Sequence, residues 1–168
     1  MNKKISLILH DIRSAHNVGS IFRSADGLGV EKLYLSGYTP YPQQQNDERL
    51  PHIRKKIDSA IHKTALGAES YMTWKHFASI EEALQDARSV GMQIFALEQA
   101  KHSTSLHSIK LTSNTPVALL VGNEVTGLPD EIVAMCDKVV EIPMLGKKES
   151  HNVSVAAAIA AHWLLFSE

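Results

Sequence analysis

The stretch VALLVGNEVTGLP, residues 117–129, joins an uninterrupted apolar run to a loop with glycines at positions 122 and 127. Such a run, bounded by turn residues, is typical of a strand that is buried on both faces. Open α/β sheets bind ligands at the carboxyl ends of their strands, and glycine lets a backbone approach a ligand closely. The stretch therefore predicts a buried parallel strand, followed either by a ligand-binding loop or by a tight strand-to-helix connection.

Apolar runs of strand length recur along the chain and alternate with segments of helical spacing. This alternation favours an α/β fold with a mostly parallel sheet flanked by helices. The clearest helix covers residues 80–90, where Ser79 and Glu82 form a capping pair and Gly91 ends the pattern. A second helix is predicted over residues 17–28, with Arg23 facing away from the core. The predicted strands are residues 5–9, 32–35, 92–97, 117–121 and 138–142, and further helices are predicted over 129–137 and 154–166.

The composition excludes several classes of protein. A chain of 168 residues with 44% hydrophobic and 21% charged residues is typical of one globular domain. No apolar run approaches the ~20 residues of a membrane-spanning helix, so we expect a cytoplasmic protein without a membrane partner. The single cysteine, Cys136, lies in the apolar pattern of the predicted helix 129–137 and is expected to be a core thiol. The histidines form no ligand set with cysteine, and no metal is expected.

Nothing in the overall charge favours nucleic acid, because the net charge of −1 is far from that of a basic RNA-binding protein. Any RNA contact must therefore be local. The run GYTPYPQQQND, residues 37–47, predicts a long exposed loop. The locally basic positions that we expect near RNA are Arg49, Arg54, Lys55, Lys56, Lys63, Lys147 and Lys148.

A second segment with chemical potential is EIPMLGKKESHNVSVAAAI, residues 141–159, which leads from a strand through a charged loop into an alanine-rich helix. Ser150 and Asn152 suit the helix start as caps. The polar residues crowded there also suit a ligand, because helix starts bind anions readily. Glu124, in the first segment, has two interpretations: a carboxylate near the first turn of helix 129–137, or an acceptor for a ligand.

A third segment is HDIRSAHNVGSIFRSAD, residues 10–26, in which Asn17 lies six residues before Arg23. The guanidinium of Arg23 is a fixed cation with a planar fork of donors, which makes it a natural partner for phosphate. A solvated surface arginine is the alternative interpretation.

These segments resemble, in order, the three motifs of the SpoU branch of the SPOUT superfamily. The family consists of S-adenosylmethionine (AdoMet)-dependent RNA 2′-O-ribose methyltransferases with a trefoil-knotted α/β fold. The resemblance implies a C-terminal knot, tRNA or rRNA as the substrate, and a homodimer in which the arginine of one subunit completes the pocket of the other. The matching stretches are NVGSIFRSADGLGV at 17–30, LLVGNEVTGL at 119–128 and IPMLGKKESHNVSVAAAI at 142–159, and KTALGAE at 63–69 is similar as well.

The resemblance also implies roles for single residues. Arg23 corresponds to the catalytic arginine, and Asn17 and Glu124 correspond to the asparagine and the glutamate of the first two motifs. Ser150 and Asn152 correspond to the pair of the third motif. His151 departs from the leucine or methionine that many relatives have there, so only a backbone contact with the cofactor is expected from it. The residues implied to bind AdoMet are Leu97, Gly122, Ile142, Met144, Ser150 and His151.

Two other functions compete with methyl transfer. The chain is also compatible with a non-catalytic RNA-binding module that kept the SPOUT fold. A nucleotide-binding α/β hydrolase would recruit His10, Asp11 and the loop at Gly122, but it would need a nucleophile or metal set that the sequence does not offer. For the methyltransferase, we expect residues 1–168 to form a single SPOUT domain without a separate RNA-binding domain.

Overall fold

The computed structural model describes residues 3–111 and 116–167. Within them, no helix is long and apolar enough to cross a membrane. The strands are β1 (Ile5–His10), β2 (Leu33–Ser36), β3 (Trp74–Phe77), β4 (Gln93–Leu97), β5 (Thr104–Ser105), β6 (Val117–Val121) and β7 (Lys138–Glu141). The α-helices are α1 (Ala15–Leu28), α2 (Pro51–Ala65), α3 (Ile80–Ser89), α4 (Asp130–Val133) and α5 (Val153–Phe166), with short 3-10 helices at Ala68–Ser70 and Leu106–Ser108.

The strands form one parallel sheet in the order β3-β2-β1-β6-β4-β7-β5. The predicted α/β class with a mostly parallel sheet is therefore confirmed. β6 has the predicted bounds, and all its residues are buried because β1 and β4 flank it. α1 begins two residues earlier than predicted, since the Ser14 hydroxyl accepts a hydrogen bond from the Asn17 N–H.

Helices cover both faces of the sheet. α1, α2 and α5 pack on one face, and α3 and α4 pack on the other. In β1, Leu7 and Leu9 belong to the first core, and Ile8 belongs to the second. Burial on both faces explains why the strands appear in the sequence as continuous apolar runs rather than as alternating ones.

Three of the strands and α-helices, namely α2, β3 and the two-residue β5, have no counterpart among the predicted ones. α2 buries only Ile61 and Ala65 fully, so its apolar periodicity is weak in the sequence. It nevertheless packs tightly on α1, because a Cβ atom at Gly19 would lie 2.2 Å from the Ile61 carbonyl oxygen. β3 is an edge strand with only Phe77 buried, which leaves little apolar signal.

The helix predicted over residues 129–137 is wrong in length, because α4 ends at Val133. The chain turns there toward β7, and the Asp137 carboxylate accepts a hydrogen bond of 2.6 Å from the Ile94 N–H. Cys136 packs against the core under α3 and α4, and burial raises the pKa of its thiol to about 11. The predicted core thiol therefore lies at the edge of the core and is only partly buried.

The loop predicted over residues 37–47 exists, but it is not exposed throughout. Thr39 and Asp47 are buried, and the Asp47 carboxylate accepts a hydrogen bond of 2.9 Å from Arg49 Nε. The Arg49 guanidinium lies 3.6 Å from the centre of the Tyr41 ring, and Arg54 donates to the Asp47 carbonyl. Arg49 and Arg54 therefore stabilise this loop, and these contacts engage part of their donors, whereas the sequence led us to expect both residues near RNA.

We expect Asp47→Asn to destabilise the fold by about 2–3 kcal/mol at neutral pH, because it leaves the mostly buried Arg49 without its counter-charge. The hydrogen bond from Arg49 lowers the pKa of Asp47 from 3.8 to about 2, against the opposing effect of burial. The stabilisation should thus be complete above pH ~4 and disappear as the pH falls towards 2. Urea denaturation at steps between pH 6 and pH 3 measures this.

The exposed neighbour Glu48 provides the control, since Glu48→Gln changes a charge in the same loop without touching the pair. A free energy of unfolding for Asp47→Asn equal to that of Glu48→Gln at pH 6 would contradict the role assigned to the pair.

Candidate functional site

The chain segments that follow β4, β6 and β7 meet at one edge of the sheet, because these strands are parallel neighbours. Together with the start of α5 they enclose a cavity of about 360 Å³. The position of this cavity at the carboxyl ends of the strands follows the general rule for open α/β sheets. All six residues predicted to bind the cofactor line it: Leu97, Gly122, Ile142, Met144, Ser150 and His151.

The loop after β6 closes on itself at its two glycines. Gly127 has a left-handed φ of 67°, and a Cβ atom there would lie 2.4 Å from Glu98 Oε2. The same oxygen accepts a hydrogen bond of 2.8 Å from the Leu128 N–H. A Cβ atom at Gly122 would lie 2.7 Å from Leu128 Cδ2. The glycines are thus required by the packing of the loop itself, and the cavity wall is the result.

Glu124 joins this loop to the start of α1. Its Oε2 accepts from the Arg13 N–H at 2.8 Å, and its Oε1 accepts from the Ser14 N–H at 3.1 Å and from Asn17 Nδ2 at 2.9 Å. The interpretation of Glu124 as a carboxylate near the helix at 129–137 is therefore wrong. Because β1 lies beside β6, the segment after β6 meets the segment after β1 instead.

The hydrogen bonds also keep Glu124 ionised. Burial pushes the pKa of this carboxyl upward, but the bonds from Arg13, Asn17 and Ser14 outweigh burial, and the pKa is lowered. A carboxylate with a lowered pKa and three donors on its oxygens is a weak base. Its contacts support a positioning role rather than proton transfer.

The network continues from α1 to the start of α5. Asn152 Nδ2 donates to Asn17 Oδ1 at 3.1 Å, and Asn152 Oδ1 caps α5 by accepting from the Ser154 N–H at 2.9 Å. The chain Glu124–Asn17–Asn152 therefore connects three segments that are far apart in sequence. Ser150 is exposed on the cavity wall nearby.

Arg23 does not line this cavity. It is exposed on α1, as the helical pattern predicts, and lies at a second, shallow depression with Ser20, Ser24, Lys63 and Thr64. The structure thus brings Asn17, Glu124 and Asn152 together within one subunit but leaves the predicted arginine apart from them.

Glu98 and Asn123 are site residues that the sequence analysis missed. Glu98 directly follows β4, so the strand-end rule already pointed to its position. Asn123 binds Val125 N–H and Thr126 N–H through Oδ1, at 2.8 and 3.1 Å, and thereby shapes the loop after β6. The signal for the Asn123 contacts is the preference of asparagine for turns, where its side chain binds the backbone two residues further on. Within the described ranges, no group of three or more His, Cys, Asp or Glu side chains could hold a metal ion.

Comparisons with known proteins give matches over most of the chain. The model of the SpoU rRNA Methylase family matches residues 4–162. A tRNA (guanosine(18)-2'-O)-methyltransferase of Escherichia coli (strain K12) is 28% identical over 155 residues, which are 92% of this chain and 60% of that protein. A 23S rRNA (guanosine-2'-O-)-methyltransferase of Xanthomonas axonopodis pv. citri (strain 306) is 29% identical over 157 residues, which are 94% of this chain and 56% of that protein.

The fold is also found among solved structures. The crystal structure of an AdoMet-bound rRNA methyltransferase from Sinorhizobium meliloti matches with a TM-score of 0.78 at 25% identity, over 97% of this chain and 56% of that one. The chain spans between 56% and 60% of the length of these three proteins.

We expect Glu124→Gln to loosen the start of α1. The amide presents a donor where the carboxylate accepts from backbone N–H groups, so at least one hydrogen bond is lost, at a cost of about 1–3 kcal/mol. Hydrogen–deuterium exchange should become faster in peptides that cover residues 11–18, and urea denaturation gives the loss in stability.

The matched control is Glu131→Gln, because Glu131 is an exposed carboxylate in the first turn of α4. It should change the stability by no more than about 0.5 kcal/mol and leave exchange at residues 11–18 unchanged. Equal exchange in the two variants would show that Glu124 does not hold α1.

Proposed function

The chain belongs to the SpoU rRNA methylase family, and we propose that it transfers a methyl group from AdoMet to a ribose 2′-hydroxyl of a tRNA or rRNA. The family resemblance predicted from the three motifs is confirmed by the match over residues 4–162. The observation that carries the proposal is geometric: the six residues implied to bind AdoMet line one cavity, beside the network that joins the three motifs.

The chemistry of the cavity fits AdoMet. Leu97, Ile142 and Val153 are half-buried apolar residues on its wall and suit the adenine ring. The described lining contains four glutamates and neither lysine nor arginine, which favours the positive charge of a sulfonium. When bound, AdoMet supplies an electrophilic methyl group. The lining glutamates are Glu98, Glu124, Glu141 and Glu149.

The residues of the chain would orient the acceptor rather than remove its proton directly. A guanidinium stays protonated in proteins, so Arg23 is not a base. We assign it the phosphate next to the acceptor ribose, where its charge also polarises the 2′-hydroxyl. Asn17 is fixed by Asn152 and by Glu124, which lines the cavity, and would align the ribose.

We also propose a homodimer, because Arg23 lies outside the cavity of its own subunit. Val155, Ile159, His162 and Phe166 follow each other at helical spacing and form an exposed, largely apolar stripe on α5. An exposed apolar stripe of this kind is typical of an interaction surface. A partner bound there by two-fold symmetry would offer its own Arg23 to the cavity.

The trefoil knot predicted for this family is part of the proposal as well. Supporting it, the chain leaves β7 near one edge of the sheet and returns so that α5 packs on α1, β1 and β6 at its middle. A substrate of the tRNA or rRNA class would be met in the cytoplasm, which remains the expected compartment.

Arg23→Ala should abolish methyl transfer and leave AdoMet affinity within about twofold of the wild type, because the arginine acts on the RNA. Transfer is measured with radiolabelled AdoMet and RNA from cells that lack the gene, and affinity is measured by calorimetry. Arg88→Ala, on the other face of the sheet, is the control. A wild-type protein that binds RNA but not AdoMet would support the non-catalytic RNA-binding module instead.

The dimer predicts complementation between two inactive variants. Gly127→Val should disrupt the proposed cofactor cavity, because Gly127 has a positive φ and a Cβ atom there would clash with Glu98. When this variant and Arg23→Ala exchange subunits, mixed dimers contain one intact site, and part of the activity should return. If Arg23 acts in its own subunit, mixing restores nothing.

Ile159→Glu offers a second check by sedimentation, since it places a charge in the α5 stripe and should yield a monomer. Val90→Glu changes a similarly exposed apolar residue at the end of α3 and should leave the oligomeric state unchanged.

A further inference from the structure

Tyr38 is an exposed aromatic residue that is nevertheless fixed at both ends. It remains 60% exposed, so the core does not need its ring. Its hydroxyl accepts a hydrogen bond of 2.6 Å from Asn123 Nδ2, and its backbone N–H donates to Asp11 Oδ1 at 3.1 Å. These two hydrogen bonds hold an exposed ring in a fixed position beside the loop after β6.

The backbone around Tyr38 is arranged to allow these contacts. Gly37 has a left-handed φ of 65°, and a Cβ atom there would lie 2.0 Å from Asp11 Oδ1. Asp11 also has a positive φ, of 53°, although it is not a glycine. Unfavourable backbone conformations of this kind persist where the surrounding structure enforces them, commonly near functional sites.

Asn123 connects Tyr38 to the proposed cofactor cavity. Its Nδ2 also donates to the Asp11 carbonyl at 3.1 Å, while its Oδ1 holds the N–H groups of Val125 and Thr126. Asn123 lines the cavity and directly precedes Glu124. Tyr38 is therefore held in a defined position relative to the residues that would align the ribose.

We propose that Tyr38 is a stacking platform for an RNA base, either of the acceptor nucleotide or of its immediate neighbour. The inference rests on the proposed function and adds a binding site for a nucleobase to it. Unpaired RNA bases are recognised largely by stacking on aromatic side chains, and every base offers a face for this. Because the hydroxyl is the anchored end, the ring is steadied while it stays open to solvent.

Stacking on Tyr38 is the more important for RNA affinity because the chain carries almost no net charge. A protein with a net charge of −1 gains little from general attraction to phosphate, and Arg49 and Arg54 already donate hydrogen bonds to Asp47 in the loop between β2 and α2. Stacking supplies affinity that does not depend on charge. It also places the base, and with it the attached ribose, beside the cavity.

The test compares four variants with the wild type: Tyr38→Leu, Tyr38→Phe, Tyr38→Trp and Tyr71→Leu. Tyr71 is the matched control, because it is 67% exposed and its hydroxyl also forms a side-chain hydrogen bond, at 3.1 Å to Asp26. Affinity is measured by fluorescence anisotropy with labelled small RNA and fragmented rRNA from cells that lack the gene. AdoMet affinity is measured separately by calorimetry.

Tyr38→Leu should weaken RNA binding by roughly 5- to 150-fold, the range for one stacked base. Tyr38→Phe and Tyr38→Trp keep an aromatic ring and should remain within about threefold of the wild type. Tyr71→Leu should bind RNA as the wild type does. AdoMet affinity should be the same in all variants, since Tyr38 does not line the cavity.

Wild-type RNA affinity of Tyr38→Leu would overturn the proposal. An equal loss in Tyr38→Phe and Tyr38→Leu would overturn it too, because the bond to Asn123 rather than the ring would then matter. If the wild type binds no RNA, the platform has no ligand and the inference fails. Failure of the proposed function looks different: the wild type would bind no AdoMet or transfer no methyl group, whatever the tyrosine variants do in the RNA assay.

Discussion

The hydrogen bonds of the Glu124 carboxylate organise the site on which the proposed function depends. A partly buried carboxylate is costly unless donors surround it, and here two backbone N–H groups and the Asn17 amide do so. These donors belong to the start of α1, whereas Glu124 belongs to the loop after β6. The contact exists because β1 and β6 are parallel neighbours whose carboxyl ends lie side by side. Through Asn17 and Asn152, the same contact extends to the start of α5.

This arrangement separates two kinds of charge. The cavity wall is acidic and suits a cationic methyl donor, while Arg23 and Lys63 lie together at a different depression and suit the phosphate of an RNA. In a single subunit the two are apart. In the proposed two-fold dimer, the arginine of one subunit would reach the acidic cavity of the other.

The proposed RNA binding by a nearly neutral protein would depend on local contacts. The loop between β2 and α2 shows how cations in the sequence can be used for folding instead, since Arg49 packs on Tyr41 and pairs with the buried Asp47. Tyr38 lies in the same loop, but its side chain stays exposed instead of packing inside the loop. The loop therefore combines a stable interior with one aromatic residue displayed beside the cavity.

Local sequence patterns determined several of the secondary-structure elements and part of the candidate site. The bounds of β6, the Ser79 cap of α3, the exposure of Arg23 and six of the residues on the cavity wall follow from apolar periodicity, capping chemistry and the family motifs. Each of these signals lies within a few residues of the feature that it describes. α2 and β3 escaped prediction because they bury few apolar side chains.

Only the tertiary structure decided which partners the polar residues take. Glu124 and Arg13 are separated by 111 residues, and Asn152 and Asn17 by 135. The residues around Glu124 do not show whether it binds the start of α1 or lies near α4. The residues around Arg49 likewise do not show whether its side chain is buried or exposed. The order of the strands brings Glu124 to the start of α1, and the burial of Asp47 brings Arg49 into the interior of its loop. Both outcomes depend on the tertiary structure, because a hydrogen bond requires proximity in space rather than in sequence.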